Sequence, residues 1–477
     1  GGANKMKKKS RTIILTIILC MMVSMCMTAC DKTKDKAKEP ASQTEEGAKD
    51  KEGEKGEDPG AGEEVTLNDE GKTLTVYSWN EEFKGMLDNY YLKDNPLPDG
   101  VELNYVINPS DGGVYQQKLD QALESEEEID IFLLEADYAA KYVESSYTAP
   151  VTELGITEDM LSAQYPYTHG IVTDSNGALK GLSWQATPGL FMYRRSLAEK
   201  YLGTQEPDEV QKMVSDFDKF LDTARKVVKE SGGKTKMLSG VDDIFRVYLN
   251  NRKQGWVVDG KLNIDPNMLE YMEFAKVLEE ENLTAGTGQW LEDWNANINS
   301  DNVFSYFFST WGIQWVMTGN SVAEGEEQKP GNGTYGDWAA TLGPQPYFWG
   351  GTWIAMSPTC DNQSLVKDIM EYFTIEKDSM KNYCLESKDY VNSKTAIQEI
   401  IDDGFEFDFL GGQNHYALFQ EQADDIDIST LTGYDQLIND AFAEQVTAYS
   451  KGEKDKDSAI ADFKAAVKDL YADIEVE

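Results

Sequence analysis

From residue 65 onward the sequence keeps switching between two periodicities, and that switching limits the fold more than any single motif. "TLTVYSW" (73–79) is a β-rich apolar run, and "EEFKGMLDNYYLK" behind it reads as helix. "VELNYVI" (101–107), the helical "VYQQKLDQALESEE" and the run "IDIFLL" (129–134) repeat the alternation. Strands that alternate with helices predict an α/β architecture, a mostly parallel sheet with helices on both faces. Helical patterns recur at 208–230, 266–282, 363–374, 434–449 and 456–472, and no short repeat divides them. At 477 residues the chain is long enough for two domains with cores of their own.

In such sheets a ligand sits where strands end and loops enter the next helix. "WNEE" follows the first strand and "EAD" the third, so each loop sets carboxylates beside an aromatic or apolar neighbour. Asn80 and Asp137 also suit helix capping. Two such loops on one sheet edge favour a site.

The segment ahead of this body has a different character. Lys5, Lys7, Lys8, Lys9 and Arg11 precede an uncharged apolar stretch, Thr12 to Ala29, the pattern of an export signal over residues 1–29. "MTAC" ends it, and this resembles a bacterial lipobox, in which Cys30 receives a diacylglycerol and becomes the new N-terminus. Residues 31–64 have almost no apolar content and cannot bury a core, which predicts that 30–64 is a lipidated cysteine with a polar tether. As a flexible coil this tether reaches roughly 30 Å, placing the body at the outer face of a bacterial cell membrane.

The formal net charge is −41, and the five basic residues of the signal make the remainder more negative still. Such a surface repels nucleic acid, which is excluded as a partner. Cys360 and Cys384 are the cysteines of the body. An unbroken helix between them would hold them about 30 Å apart, so a disulfide requires a break near Thr374 to Asp378. Two distant histidines, His169 and His415, with two thiols form none of the usual zinc or manganese sets and no Ser-His-Asp or Cys-His machinery. The expectation is a chain with neither cofactor nor catalysis.

Over about residues 72–473 the chain resembles the carbohydrate-binding, maltose-binding-protein-like group of family 1 extracellular solute-binding proteins of bacterial ABC importers. "TLTVYSWN" resembles that family's first strand, and "EIDIFLLEADYAAKYVESSYTAPV" a strand, helix and approach to the hinge. "SNGALKGLSWQATPGLFMYRRSLAEKYLG" resembles its crossover into the second lobe. "VFSYFFSTWGIQWV" resembles a strand-to-helix segment, and "FKAAVKDLYADI" the C-terminal helix. The resemblance implies a two-lobe periplasmic-binding-protein fold of type II, each lobe a mostly parallel sheet flanked by helices. Residues 65–183 plus 351–388 would form the first lobe, and 184–350 plus 389–477 the second. Crossovers would fall near Gly181 to Pro188, Phe348 to Thr352 and Lys388 to Lys394. The implied function is capture of a carbohydrate, an oligosaccharide, between the lobes by a monomer that hands it to the permease subunits.

Sugars offer apolar ring faces and paired hydroxyls, so their sites combine flat aromatics with carboxylates and amides. The resemblance places Trp311 at a sugar-stacking position, Trp79, Asn80 and Glu81 in a ligand-contacting first loop, and Glu135 and Asp137 in the second. Trp184 and Gln185 lie on the first crossover; Trp349, Gly351 and Trp353 lie on the second. Asn414, His415 and Tyr416 fall in a region that borders the cleft. Trp290, Trp294 and Trp315 suit core equally well and are not assigned. The first loop carries Glu81 and Glu82 where the maltose-binding pattern has a lysine, so the expected ligand differs from maltose. These acids also suit a polyamine or other cationic solute. A surface glycoside hydrolase is a third reading, but its carboxylate pair is trivially found among 85 acids.

Overall fold

The computed structural model describes residues 65–477; the signal segment 1–29, the lipidation site Cys30 and the segment 30–64 lie outside the described residues. Two sheets organise the body. The first contains β1 (Thr73–Ser78), β2 (Glu102–Ile107), β3 (Ile131–Glu135), β4 (Leu182–Ser183) and β10 (Thr352–Met356), in the order β2-β1-β3-β10-β4. The second contains β5 (Gly189–Arg194), β8 (Ser305–Ser309) and β9 (Trp338–Thr341), with β5 in the centre. A small hairpin joins β6 (Val257–Val258) to β7 (Lys261–Leu262). This is the two-lobe α/β architecture.

In the first lobe β1 runs parallel to both β2 and β3, as strand–helix–strand order dictates. β10 enters from far along the chain and lies antiparallel to β3 and β4. In the second lobe β5 is antiparallel to both neighbours, so the expected parallel arrangement describes β2-β1-β3 and not the second sheet. β5 and β8 are separated by a run of several helices, and β8 and β9 by one helical run, Thr310–Asn320, followed by a loop.

Period-two alternation buries both faces of the second sheet. Leu190, Met192, Tyr306, Phe308 and Ala340 join the core shared with the first lobe. Phe191, Tyr193, Phe307 and Ala339 join a second core with the helices Phe217–Glu230, Pro266–Glu280 and Asp435–Ser450. The pattern at 208–230 is two helices, Pro207–Val214 and Phe217–Glu230, because Asp216 caps the second by accepting the Lys219 N–H at 2.8 Å. Helices Gln363–Thr374 and Lys377–Ser387 are broken as a disulfide would require, yet Cys360 and Cys384 are both free and buried. The Cys384 thiol lies 3.0 Å from the Asp389 carbonyl.

Three extended segments join the sheets and lie side by side. Gln185 bridges to Val391 and Pro188 to Phe348. Ala186 N–H donates to the Tyr390 carbonyl at 3.0 Å, Asn392 N–H to that of Trp184 at 2.8 Å, and Trp349 N–H to that of Thr187 at 3.1 Å.

Candidate functional site

Because β1 and β3 are adjacent and parallel, the loops behind them leave one sheet edge together. β10 runs the other way, so its first residue meets that same edge, with Thr352 opposite Glu135. Gly350 and Gly351 precede it at φ +71° and +105°, values that side chains rarely adopt. A Cβ on Gly351 would stand 3.0 Å from the Trp353 ring, and one on Gly350 would stand 3.3 Å from Trp311 Nε1. The pair turns the chain tightly while keeping the floor clear.

Above this floor lies a cavity of about 1110 Å3 between the two sheets, above the usual range for a drug-sized ligand and roomy enough for several rings. The first lobe supplies Trp79, half-buried and edge-on to Tyr115 and Tyr138 at centroid distances of 5.5 and 6.3 Å. Glu135 accepts the Asp137 N–H at 2.9 Å, which shapes the second loop. Asn80 accepts the Glu82 N–H at 3.1 Å, shaping the first loop just ahead of the helix Glu82–Met86. Gln185, on the crossover, donates to buried Asp389 at 3.0 Å.

The second lobe answers with an aromatic nest. Trp311 donates its indole N–H to the Trp349 carbonyl at 2.9 Å, and the two rings meet at 5.1 Å and 74°. Trp349 stacks on Phe308 at 5.9 Å and 6°. Trp290 completes the nest, 6.1 Å from Trp311 and 5.6 Å from Trp349, and is 46% exposed. Its φ of +72° is a costly conformation for a bulky residue. Trp315 stands at the rim, 54% exposed.

Across the cleft, Arg246 forks onto Asp137, with Nη1 to Oδ1 at 3.0 Å and Nη2 to Oδ2 at 2.8 Å. Its guanidinium also lies 5.6 Å from the Trp349 ring centroid. Burial, with Asp137 beside it and Arg246 opposing, raises the Glu135 carboxyl to about 8. Burial and nearby Asp389 raise Glu82 likewise to about 8. Asp389 itself is raised by burial to about 6.

Of the side chains expected from the sequence, Trp79, Asn80, Glu81, Glu135, Asp137, Gln185, Trp311 and Trp349 line this cavity, as does the backbone of Gly351. Five others do not. Trp184 is fully buried and stacks on Phe83 at 5.5 Å, because adjacent residues on extended chain point oppositely and Gln185 takes the cavity side. Trp353 lies beneath the floor, donating to the Thr168 carbonyl at 2.8 Å. Asn414 accepts the Tyr416 N–H at 3.1 Å. His415 is packed among Phe405, Phe407 and Phe419, where burial lowers its pKa to about 3. Tyr416 stacks on Phe405 and donates to the Asp389 carbonyl at 3.3 Å. None of the three lines the cavity; His415 and Tyr416 are core, and Asn414 is half-buried.

The sequence reading missed Arg246, Trp290, Trp315 and one face of the helix Asp435–Ser450. Gln436, Asn439, Asp440, Ala443, Glu444 and Thr447 line the cavity at helical spacing. That polar stripe was the available signal. Trp294, also unassigned, is core and donates to Asp243 at 2.7 Å.

Comparison with known proteins accords with this geometry. Residues 98–406 match the family described as bacterial extracellular solute-binding protein. No curated protein matches the sequence. Among solved structures, an extracellular solute-binding protein of family 1 superposes with a TM-score of 0.71 at 16% identity, covering 84% of this chain and 100% of that one. The ABC transporter associated binding protein from B. animalis subsp. lactis, in complex with β-1,6-galactobiose, gives 0.62 at 20% identity over 84% and 97%. Maltose-bound MalE3 of T. maritima gives 0.63 at 15% identity over 84% and 100%. The interlobe cavity, the paired sheets and the family match together establish that the chain belongs to the bacterial extracellular solute-binding proteins.

Proposed function

We propose that this protein captures a carbohydrate, an oligosaccharide, in the interlobe cavity and delivers it without hydrolysis to the permease of an ABC importer. The carrying observation is the placement of aromatic faces on both walls, Trp79 on one and Trp311, Trp349 and Trp290 on the other. Such walls can stack on successive sugar rings while Asn80, Gln185, Gln436 and Asn439 exchange hydrogen bonds with hydroxyls. The solved relatives bound to β-1,6-galactobiose and maltose support this reading. In it, residues 65–183 plus 351–388 and residues 184–350 plus 389–477 act as lobes closing on the ligand. The protein works as a monomer held to the membrane through lipid on Cys30.

Thermal-shift screening against di- to hexasaccharides tests the proposal, since a ligand present at 100 times its Kd adds about 2.7 kcal/mol to apparent stability. A rise in melting temperature with intact glycan recovered afterwards is expected. Glycan cleavage, or no shift across a broad set of neutral and charged saccharides, would defeat it.

A further inference from the structure

The cavity walls carry a charge imbalance that a neutral sugar leaves unanswered. Glu81, Glu82, Asp111, Glu135 and Asp137 face the space from the first lobe, and Asp242, Asp440 and Glu444 from the second. Arg246 is the one basic side chain among the lining residues, and it is already committed to Asp137 through two nitrogens. None of the other lining carboxylates forms an ion pair among the described residues. Crowding acids in a partly dehydrated space costs hydration and adds repulsion. Glu82 and Glu135 meet that cost by holding their protons, raised to about 8 by burial with Asp389 near the first and Asp137 near the second, which leaves the charge to the other lining acids.

Two independent features indicate what relieves it. Tyr138 is among the lining residues at 1% exposure, and its buried hydroxyl has no hydrogen-bond partner where nearly all such groups are satisfied. The tryptophan faces on both walls attract cations through their π quadrupole as well as stacking on rings. A metal ion does not suit the arrangement. No three His, Cys, Asp or Glu side chains among the described residues converge closely enough to hold one. The acids come from several separate elements of both walls, which suits an extended organic cation.

We infer that the cleft selects a ligand bearing protonated amines, an amine-carrying saccharide in preference to its neutral counterpart. This rests on the proposed carbohydrate capture and narrows its ligand. Each ammonium donates up to three hydrogen bonds to the carboxylates of the walls, while the rings to which it is attached stack on tryptophan. A free polyamine offers the same ammonium chemistry without rings, so the experiment separates the two sources.

The full chain in detergent is titrated calorimetrically at neutral pH with glucosamine oligomers, with N-acetylated oligomers of equal length, and with spermidine. Free-amine oligomers should bind about tenfold or more tightly than the acetylated series. The advantage should shrink in about 0.5 M NaCl, where screening acts over a few ångströms. It should also shrink in Asp440→Asn and Glu444→Gln, variants on an exposed helix face that spare the fold. Acetylated oligomers binding as tightly would overturn the amine inference and leave carbohydrate capture standing. Spermidine binding alone would uphold amine recognition and overturn carbohydrate capture. Binding by none of the three overturns the inference.

Discussion

At the scale of single residues, Trp311 holds the aromatic wall together. It contributes a ring face and donates a hydrogen bond to the Trp349 carbonyl. Because its side chain is only partly buried, truncation removes a platform without emptying a core. Trp311→Ala should weaken saccharide binding about tenfold or more, roughly 1.4 kcal/mol, with little change in melting temperature. Unchanged affinity by calorimetry would remove Trp311 from the site. Gly351 poses the opposite case. An alanine there must adopt φ near +105° and press on the Trp353 ring, so Gly351→Ala should cost about 1–3 kcal/mol of stability in denaturant unfolding. The tryptophans also show how far single residues could be read. The family resemblance put Trp349 and Trp353 at a crossover, but which ring faces the cavity follows from twist and packing at that turn. Trp349 is largely buried yet lines the cavity, and Trp353, one step inside the strand, is fully buried beneath it. Trp290, four before Trp294, suited a helix and core equally well in the sequence, but it stands ahead of the helix Glu292–Ala296 on a left-handed backbone.

At the scale of elements, the two walls are joined chiefly through Asp137. It receives Arg246 from the helix Phe245–Asn250, while its carbonyl accepts the Gln436 N–H at 3.3 Å. Gln116 reaches Gln436 at 2.6 Å from the helix Val114–Glu124. Asp137 is 5% exposed and Arg246 19%. Removing the arginine strands a carboxylate in a poorly hydrated place. Arg246→Ala should cost roughly 2–3 kcal/mol, below the 3–5 of a fully enclosed pair because Arg246 keeps some water. It should also open the molecule, seen as a larger radius of gyration in solution scattering. An unchanged scattering profile would show that the ion pair does not hold the lobes together. Arg246 was invisible beforehand because it is a lone charge in the short, mostly apolar helix FRVYLN, which was not among the helical patterns read; only tertiary placement sets it opposite the second loop.

For the whole molecule, the strand–helix alternation at 73–134 was enough to indicate the parallel half of the first sheet, and the two-lobe arrangement came with the family resemblance. The antiparallel second sheet was not legible, since pairing between distant strands leaves no periodic trace in either. Charge behaviour is a property of the same scale. Glu82 and Glu135 have carboxyls raised to about 8 by burial, with Asp389 near the first and Asp137, Arg246 and Asp435 near the second. Asp243 and Asp389, raised by burial to about 7 and about 6, act in the same direction. The folded protein therefore holds protons that the unfolded chain has released, and stability falls as pH rises through these values. Buried His415, and His169, oppose this only below their ordinary 6.5. The ligand-free melting temperature should thus decline between about pH 6.5 and 8.5, and Glu135→Gln should flatten the decline. A temperature that rises across that interval would contradict the assignment.

The position of β10 also has a consequence in time. It is the strand that joins β3 to β4, yet it arrives at Thr352, long after Ser183 has left the ribosome. Because the chain emerges from its N-terminus, β4 waits for its sheet partner among the described residues until most of the intervening chain has appeared. The first lobe therefore cannot close its sheet until most of the second has been made. The nascent chain spends that interval with an open edge beside β3, and its early half stays pliable until the later half returns to complete it.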